Sequence, residues 1–185
     1  KKFFQNKAVL DHLSSDYADL GYEILRKIKN HPFGEEILNI CQTPPWGSPF
    51  LLRKFPSLSS TTATHLANIL SINDAFDMKI EEYKSFVDFG GGYGGLARCI
   101  LQLNTNIDLS IIDIKQMTDL QQLYLKKTLR TKLPINFYTN IDQLNKKYEI
   151  FNACFSFSET PLVLREKIEY KIFNNFEKLH IIFQE

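Results

Sequence analysis

Val87-Asp88-Phe89-Gly90-Gly91-Gly92-Tyr93-Gly94-Gly95 is the stretch on which the reading of this chain turns. A short apolar run, Ser85 to Phe89, carries one carboxylate near its end and passes directly into a loop with glycine at 90, 91, 92, 94 and 95. Glycine has no Cβ, so a loop this rich in it brings backbone N–H groups close to a ligand that side chains would fend off. Leu96 to Leu103 then has helical character. Strand, glycine loop and helix in that order make the opening of a βαβ unit with a nucleotide-type site on the loop.

The same alternation continues outward. Leu109 to Ile114 reads as a second strand and Met117 to Arg130 as a helix with Leu120, Leu123, Tyr124 and Leu125 apolar. Ile135 to Tyr138 and Ile150 to Phe155 read as strands three and four, Pro161 to Lys178 as a helix with Pro in its first turn, and His180 to Phe183 as the start of a fifth strand. Strands alternating with helices imply a parallel sheet, hence an α/β fold of the Rossmann-like kind over residues 81–185. Residues 1–80 differ. Val9, Leu10, Leu13, Tyr17, Leu20, Ile24, Leu25 and Ile28 recur at helical intervals, and His31-Pro32-Phe33-Gly34 breaks the run. Pro44, Pro45, Gly47, Pro49 and Pro56 mark a long irregular connection. Ser59-Ser60-Thr61-Thr62 can cap a further helix carrying Leu66, Ile69 and Leu70. The expectation is a helical N-terminal lobe with a Pro-rich loop, followed by the sheet domain.

Bulk composition narrows the function classes. Lys and Arg total 22 against 21 Asp and Glu, so no basic footprint for nucleic acid is present. Hydrophobic residues make up 44% with 15 Phe and 8 Tyr, which describes a chain able to bury an aromatic-rich core. The three cysteines, Cys41, Cys99 and Cys154, are far apart and odd in number, which favours a reducing compartment over a disulfide framework. No apolar run is long enough to span a membrane, and no signal peptide is visible. A cytoplasmic protein is expected, with no metal, because no His, Asp and Glu cluster has ligand spacing. Oligomeric state is not legible.

Two cofactor fingerprints overlap in the glycine loop. Gly90, Gly92 and Gly95 spell the dinucleotide pattern G-x-G-x-x-G. Asp88, Gly90, Gly92 and Gly94 spell D-x-G-x-G-x-G, which resembles the first motif of class I S-adenosylmethionine-dependent methyltransferases. Asp88 decides between them: a carboxylate there repels a pyrophosphate but accepts hydrogen bonds from the ammonium end of a methionine. Asp113, ending the second strand, suits the ribose diol of either cofactor. The glycine core, Ile111-Ile112-Asp113-Ile114, the Met117 to Leu125 segment and Phe155-Ser156-Phe157-Ser158-Glu159 together resemble the sugar O-methyltransferase family over residues 85–185. That resemblance implies a seven-stranded sheet of order 3-2-1-4-5-7-6. This chain ends in or just after strand five, so the sheet is expected to be C-terminally incomplete.

The resemblance also implies roles. Asp88 and the backbone of Gly90, Gly92 and Gly94 meet the methionine end of S-adenosylmethionine, Asp113 takes the ribose, and Ile114 packs on the adenine. Asp142 meets the adenine amino group or caps a helix, and Phe155 and Ser156 end strand four near the transferred methyl. Tyr93 covers the cofactor or packs beside the loop. A sugar hydroxyl needs a general base. Glu159 follows strand four and is the candidate, its alternative being a carboxylate satisfying a helix N-terminus. His65 titrates in the right range but sits on a helix outside the sheet. His12, His31 and His180 offer less, His180 being placed at the opposite end of a strand. Arg165 suits an anionic acceptor group or a surface ion pair. Trp46 and Phe50, between prolines, suit stacking on a sugar face, with core packing as the alternative for Trp46. The expected function is methylation of a sugar or glycoconjugate hydroxyl. The alternatives are a non-catalytic cofactor-binding module and a methyltransferase for another small molecule.

Overall fold

The computed structural model describes residues 2–7, 9, 18–129 and 135–183. Leu10, Leu13, Tyr17 and His12, read above as helical or as a minor candidate, lie outside the described residues. Seven helices follow one another among the described residues: α1 (Ala18–Lys29), α2 (Gly34–Ile40), α3 (Ser60–Phe76), α4 (Gly95–Leu103), α5 (Lys115–Thr128), α6 (Ser156–Glu159) and α7 (Leu162–Asn175). Five strands accompany them: β1 (Ser85–Phe89), β2 (Asp108–Ile112), β3 (Ile135–Tyr138), β4 (Tyr148–Cys154) and β5 (Phe176–Ile182).

The strands form one sheet of order β3-β2-β1-β4-β5, parallel at every pairing. From β1 the chain winds outward through β2 to β3, then returns across the sheet to β4 and winds outward the other way. The reversal falls between β1 and β4. There the connections leaving the two carboxyl ends diverge and leave a crevice, the place where open parallel sheets bind ligands.

Alternation along the strands divides the core between two faces. Phe86, Leu109, Ile111 and Ile150 point to one face and share a buried cluster with Leu25, Ile28, Leu66, Ile69 and Ile100. Val87, Ile112, Phe151 and Ala153 point to the other and meet Ile141, Leu144, Ile168 and Ile172. Both faces being covered, β1 reads as a continuous apolar run rather than an alternating one. Asp88 is the exception in it.

The cap expected within Ser59-Ser60-Thr61-Thr62 falls on Ser59: its side chain accepts from the Thr62 N–H at 3.1 Å and starts α3. α3 ends at Asp77 in the left-handed conformation, φ 48°. The Pro-rich connection runs along α4. Arg98 Nη2 donates to the Gln42 carbonyl at 2.7 Å, and the Phe4 N–H to the Gly47 carbonyl at 2.9 Å. It thereby reaches the glycine-loop end of the sheet. No helix among the described residues is long and apolar enough to cross a membrane.

Candidate functional site

The glycine loop fills the crevice at the end of β1. The Gly90 N–H donates to the Ile112 carbonyl at 2.8 Å, tying the loop to β2, and Gly94 N–H closes a turn on Gly91 O at 2.9 Å before α4 begins. Gly90, Gly92 and Gly94 all have positive φ, at 72°, 55° and 93°. They differ in what surrounds them. A Cβ on Gly90 would stand 2.2 Å from Ser156 Cβ, whereas one on Gly92 would meet nothing within 4 Å among the described residues. Gly90 is glycine because the protein packs against it; Gly92 faces open space.

Two carboxylates flank the loop. Asp88 is 2% exposed, its Oδ1 accepting from Asn152 Nδ2 at 2.8 Å while Oδ2 has no hydrogen-bond partner among the described residues. Burial pushes its pKa up to about 7, against the Asn152 hydrogen bond, with Asp113 adding a smaller upward push. Asp113 is half-buried at the carboxyl end of β2. Its Oδ1 accepts from the Ile114 N–H at 2.8 Å and its Oδ2 from Gln121 Nε2 at 2.8 Å. The same Gln121 nitrogen donates to Gly92 O at 2.9 Å. One buried amide on α5 therefore fixes the carboxylate and the glycine loop at a set spacing. Burial raises the Asp113 pKa too. Ile114, beside it, is 63% exposed on the rim.

Across the crevice, β4 ends at Cys154, one residue short of the expected Phe155, which follows it as an exposed aromatic residue with φ 67°. Such a conformation costs a non-glycine residue about 1–3 kcal/mol and is characteristic of working sites. Ser156 Oγ donates to the Phe89 carbonyl, which pins α6 onto the glycine loop. Glu159 closes α6, exposed, with no ion pair or hydrogen bond among the described residues. It does not cap α7, which begins after Pro161 without a side-chain cap. Arg165 makes no ion pair among the described residues; it donates to the carbonyls of Thr160, at 2.6 Å, and Ser158, so that it braces the α6–α7 turn. Asp142 sits on the turn Ile141–Gln143, where Asn140 supplies the cap, and Lys167 and Lys171 of α7 face it. The Lys167 hydrogen bond holds its carboxyl below the ordinary range.

On the α3 face, Tyr93 turns its ring away from solvent, 5% exposed, with centroids 4.9 Å from both Phe4 and Tyr124. Its hydroxyl lies 3.3 Å from His65 Nε2. Burial and the nearby Arg98 guanidinium lower the His65 pKa to about 4, so the ring is neutral at pH 7. Trp46 packs on Tyr124 and Phe3, centroids 5.6 and 5.8 Å away, while Phe50 is 49% exposed. The cavity bounded by Phe4, Thr43, Phe50, Tyr93 and Tyr124 is only about 20 Å³, room for a single water.

No protein-family model matches the chain, and no curated protein matches it in sequence. Solved structures do match in shape. A magnesium protoporphyrin IX methyltransferase from Synechocystis PCC 6803 with bound S-adenosylhomocysteine superimposes with TM-score 0.53 at 14% identity, over 95% of this chain and 71% of that one. The same enzyme with bound S-adenosylmethionine gives TM-score 0.50 at 15% identity, over 87% and 74%. The fold is that of a class I methyltransferase. An S-adenosylmethionine-dependent methyltransferase from Clostridium acetobutylicum is also similar, at TM-score 0.47 and 14% identity, this chain spanning 44% of its length. Nothing in these likenesses points to a sugar. The five-strand order matches what the resemblance implied for strands one to five of the methyltransferase sheet.

Two polar residues, Gln121 and Asn152, are not among the candidates the sequence offers, and a third, His180, is placed differently by the structure. Gln121 had a signal: it lies on the stripe Thr118, Gln121, Tyr124, Leu125, which is buried throughout. Asn152 stands polar among Ile150, Phe151 and Ala153 in a buried strand. His180 was misplaced. It sits mid-β5, in register with Asn152, because β5 begins at Phe176. Among the described residues, no group of three or more His, Cys, Asp or Glu side chains is arranged to hold a metal ion.

Proposed function

We propose that this chain binds S-adenosylmethionine over the glycine loop and serves methyl transfer to an oxygen acceptor, a hydroxyl of a sugar or glycoconjugate. The observation that carries the cofactor reading is the bracket Gly92–Gln121–Asp113: an open space above Gly92, with a carboxylate held at a set distance for a ribose diol. Asp88 and the Gly90, Gly92 and Gly94 backbone take the methionine end, and exposed Ile114 takes one face of the adenine. Asp142 reaches the adenine amino group only by giving up Lys167. Phe155 and Ser156 border the methyl. Tyr93 supports the loop from beneath rather than covering the ligand.

The bound cofactor supplies a methyl group on a good leaving group, so the protein's task is to align the attacking oxygen and receive its proton. Glu159 is the candidate base, since its carboxylate is unengaged, whereas His65 is held neutral with a depressed proton affinity. The Pro-rich connection provides part of the acceptor side through Phe50 and the rim around Trp46. The sugar class rests on the motif resemblance; calorimetry with S-adenosylhomocysteine, then methyl-transfer assays over a sugar panel, test the two layers separately. Binding of NADH without S-adenosylhomocysteine would overturn the first.

Asp88 gives the binding a pH signature. A ligand ammonium favours its ionised form, so below pH 7 binding must expel a proton. S-adenosylhomocysteine affinity is expected to fall up to about tenfold per pH unit as pH drops below 7. The groups facing Asp88 are Asp113 just after β2, Cys154 and Asn152 from β4 and, through Asn152, His180 from β5. Asp88→Asn should remove one proton from the slope, leaving any contribution of Asp113. For folding of the ligand-free protein the sign is opposite. Asp88 has a raised folded-state pKa, so its contribution is lost as pH rises from the ordinary carboxyl range to about 7.

A further inference from the structure

Three side chains stand in register across the sheet beneath α3. Asp88 on β1 is paired with Asn152 on β4, and Asn152 with His180 on β5. Asn152 Nδ2 donates to Asp88 Oδ1 at 2.8 Å, His180 Nδ1 lies 2.8 Å from Asn152 Oδ1, and Ser71 Oγ of α3 lies 3.2 Å from His180 Nε2. Asn152 is fully buried, and Asp88 and His180 nearly so.

Counting protons gives this chain a direction. Asp88 accepts, so Asn152 must turn its amide nitrogen to it and its carbonyl oxygen to His180. His180 Nδ1 must then carry the hydrogen, which leaves Nε2 bare to accept from the Ser71 hydroxyl. Burial keeps the imidazole neutral. Cys154, 3.7 Å from Asn152 Oδ1, adds a second donor at the same oxygen, and Asn68 Nδ2 donates to the Cys154 sulfur at 3.4 Å. Every hydrogen points toward Asp88. A flipped Asn152 would set its carbonyl against the carboxylate.

The network ends unfinished. Asp88 Oδ2 is buried and has no hydrogen-bond partner among the described residues, a costly arrangement for a folded protein. It lies 2.9 Å from where a Cβ on Gly91 would stand, so glycine at 91 keeps a side chain from pressing onto that oxygen from the loop.

We propose that Asn152 and His180 are positioning residues for the cofactor: they lock one oxygen of Asp88 so that the other is presented to the ammonium group of the amino-acid end. This rests on the cofactor reading above. It extends the site from the glycine loop to β5, three strands of the sheet.

The test compares two ligands by calorimetry on the intact chain at pH 7.5. S-adenosylhomocysteine carries the amino-acid end; 5′-methylthioadenosine keeps the nucleoside and thioether without it. His180→Phe removes the donor to Asn152, and Asn152→Leu removes the donor to Asp88. Asn152→Leu should weaken S-adenosylhomocysteine about tenfold, the loss expected for a hydrogen bond to a charged group, and His180→Phe about fivefold, the loss expected for a neutral one; both should leave 5′-methylthioadenosine within about twofold. His180→Gln, which keeps a donor, should restore most of the affinity. Asn152→Ser, smaller than the residue it replaces, carries the comparison if a larger change fails to fold. Equal losses for both ligands would make the network a structural support of the loop, and no loss would make it irrelevant to binding; either overturns the proposal. A wild-type chain that binds neither ligand would instead refute the cofactor reading itself.

Discussion

Gly92→Val should cost at least 100-fold in S-adenosylhomocysteine affinity while the protein still folds cooperatively. The two effects separate because the space above Gly92 holds no atom of the described residues: a Cβ there meets none of them within 4 Å. What the fold pays is backbone strain at φ 55°, about 1–2 kcal/mol for an L-residue in the left-handed region, and somewhat more for a β-branched one. In a domain of this size each kcal/mol lowers Tm by about 2–4 °C. What the ligand pays is exclusion, since an isopropyl group would occupy the volume over the loop and block the backbone approach. Gly90→Val is the contrast. Its Cβ would fall 2.2 Å from Ser156 Cβ, inside the contact that pins α6 to the loop, so stability and binding should fail together. Thermal melts and calorimetry on the two variants separate the cases. A Gly92→Val protein that binds with wild-type affinity would place the ligand somewhere other than over this loop.

How far the sequence carries can be traced residue by residue. β1 was legible to the residue, because an apolar run bounded by Lys84 and a glycine loop has sharp ends. The α3 cap was legible because Ser59 has a side chain that can reach the Thr62 N–H. The junction of α7 and β5 was not. The helix was read through Lys178, yet it stops at Asn175 and β5 starts at Phe176 with no glycine or proline between them. Without a punctuating residue, only the pairing with β4 decides where helix becomes strand. That shift of four residues hid His180, since its place opposite Asn152 depends on the true start of β5. α6 was hidden as well: one turn long, it follows Phe155 in a left-handed conformation that sequence patterns reserve for glycine. For the site, the glycine loop and its two carboxylates were readable from spacing. Gln121 and Asn152 were not, because they act through contacts between distant elements. Each was a polar residue on a buried face, a signal visible once the faces are known.

Glu159→Gln should lower turnover by roughly 10² to 10⁴, the range a general base contributes, and leave S-adenosylhomocysteine affinity within about twofold. The placement supports that split. Glu159 sits at the end of α6, whose first residue is bonded to the Phe89 carbonyl at the root of the glycine loop, so its position relative to the cofactor cleft is fixed by the sheet. Yet it makes no hydrogen bond or ion pair with Asp88, Gln121 or Asp113, and its loss should leave the cofactor bracket intact. It competes for no helix terminus, and Arg165, six residues on, spends its guanidinium on the carbonyls of Thr160 and Ser158 rather than on the carboxylate. His65 is the competing base, and the two make opposite predictions. With a pKa near 4, His65 would transfer protons inefficiently at neutral pH, and its hydrogen-bonding atom is already turned to Tyr93 and packed against Gly95. His65→Gln should therefore act on stability first, through the Tyr93 contact. The assay is methyl transfer to whichever member of the sugar panel the wild-type chain accepts, with kcat and cofactor affinity measured on both variants. Full turnover in Glu159→Gln with a large loss in a folded His65→Gln would reverse the assignment, and an equal fall in turnover and cofactor affinity in Glu159→Gln would make that residue part of the binding site instead.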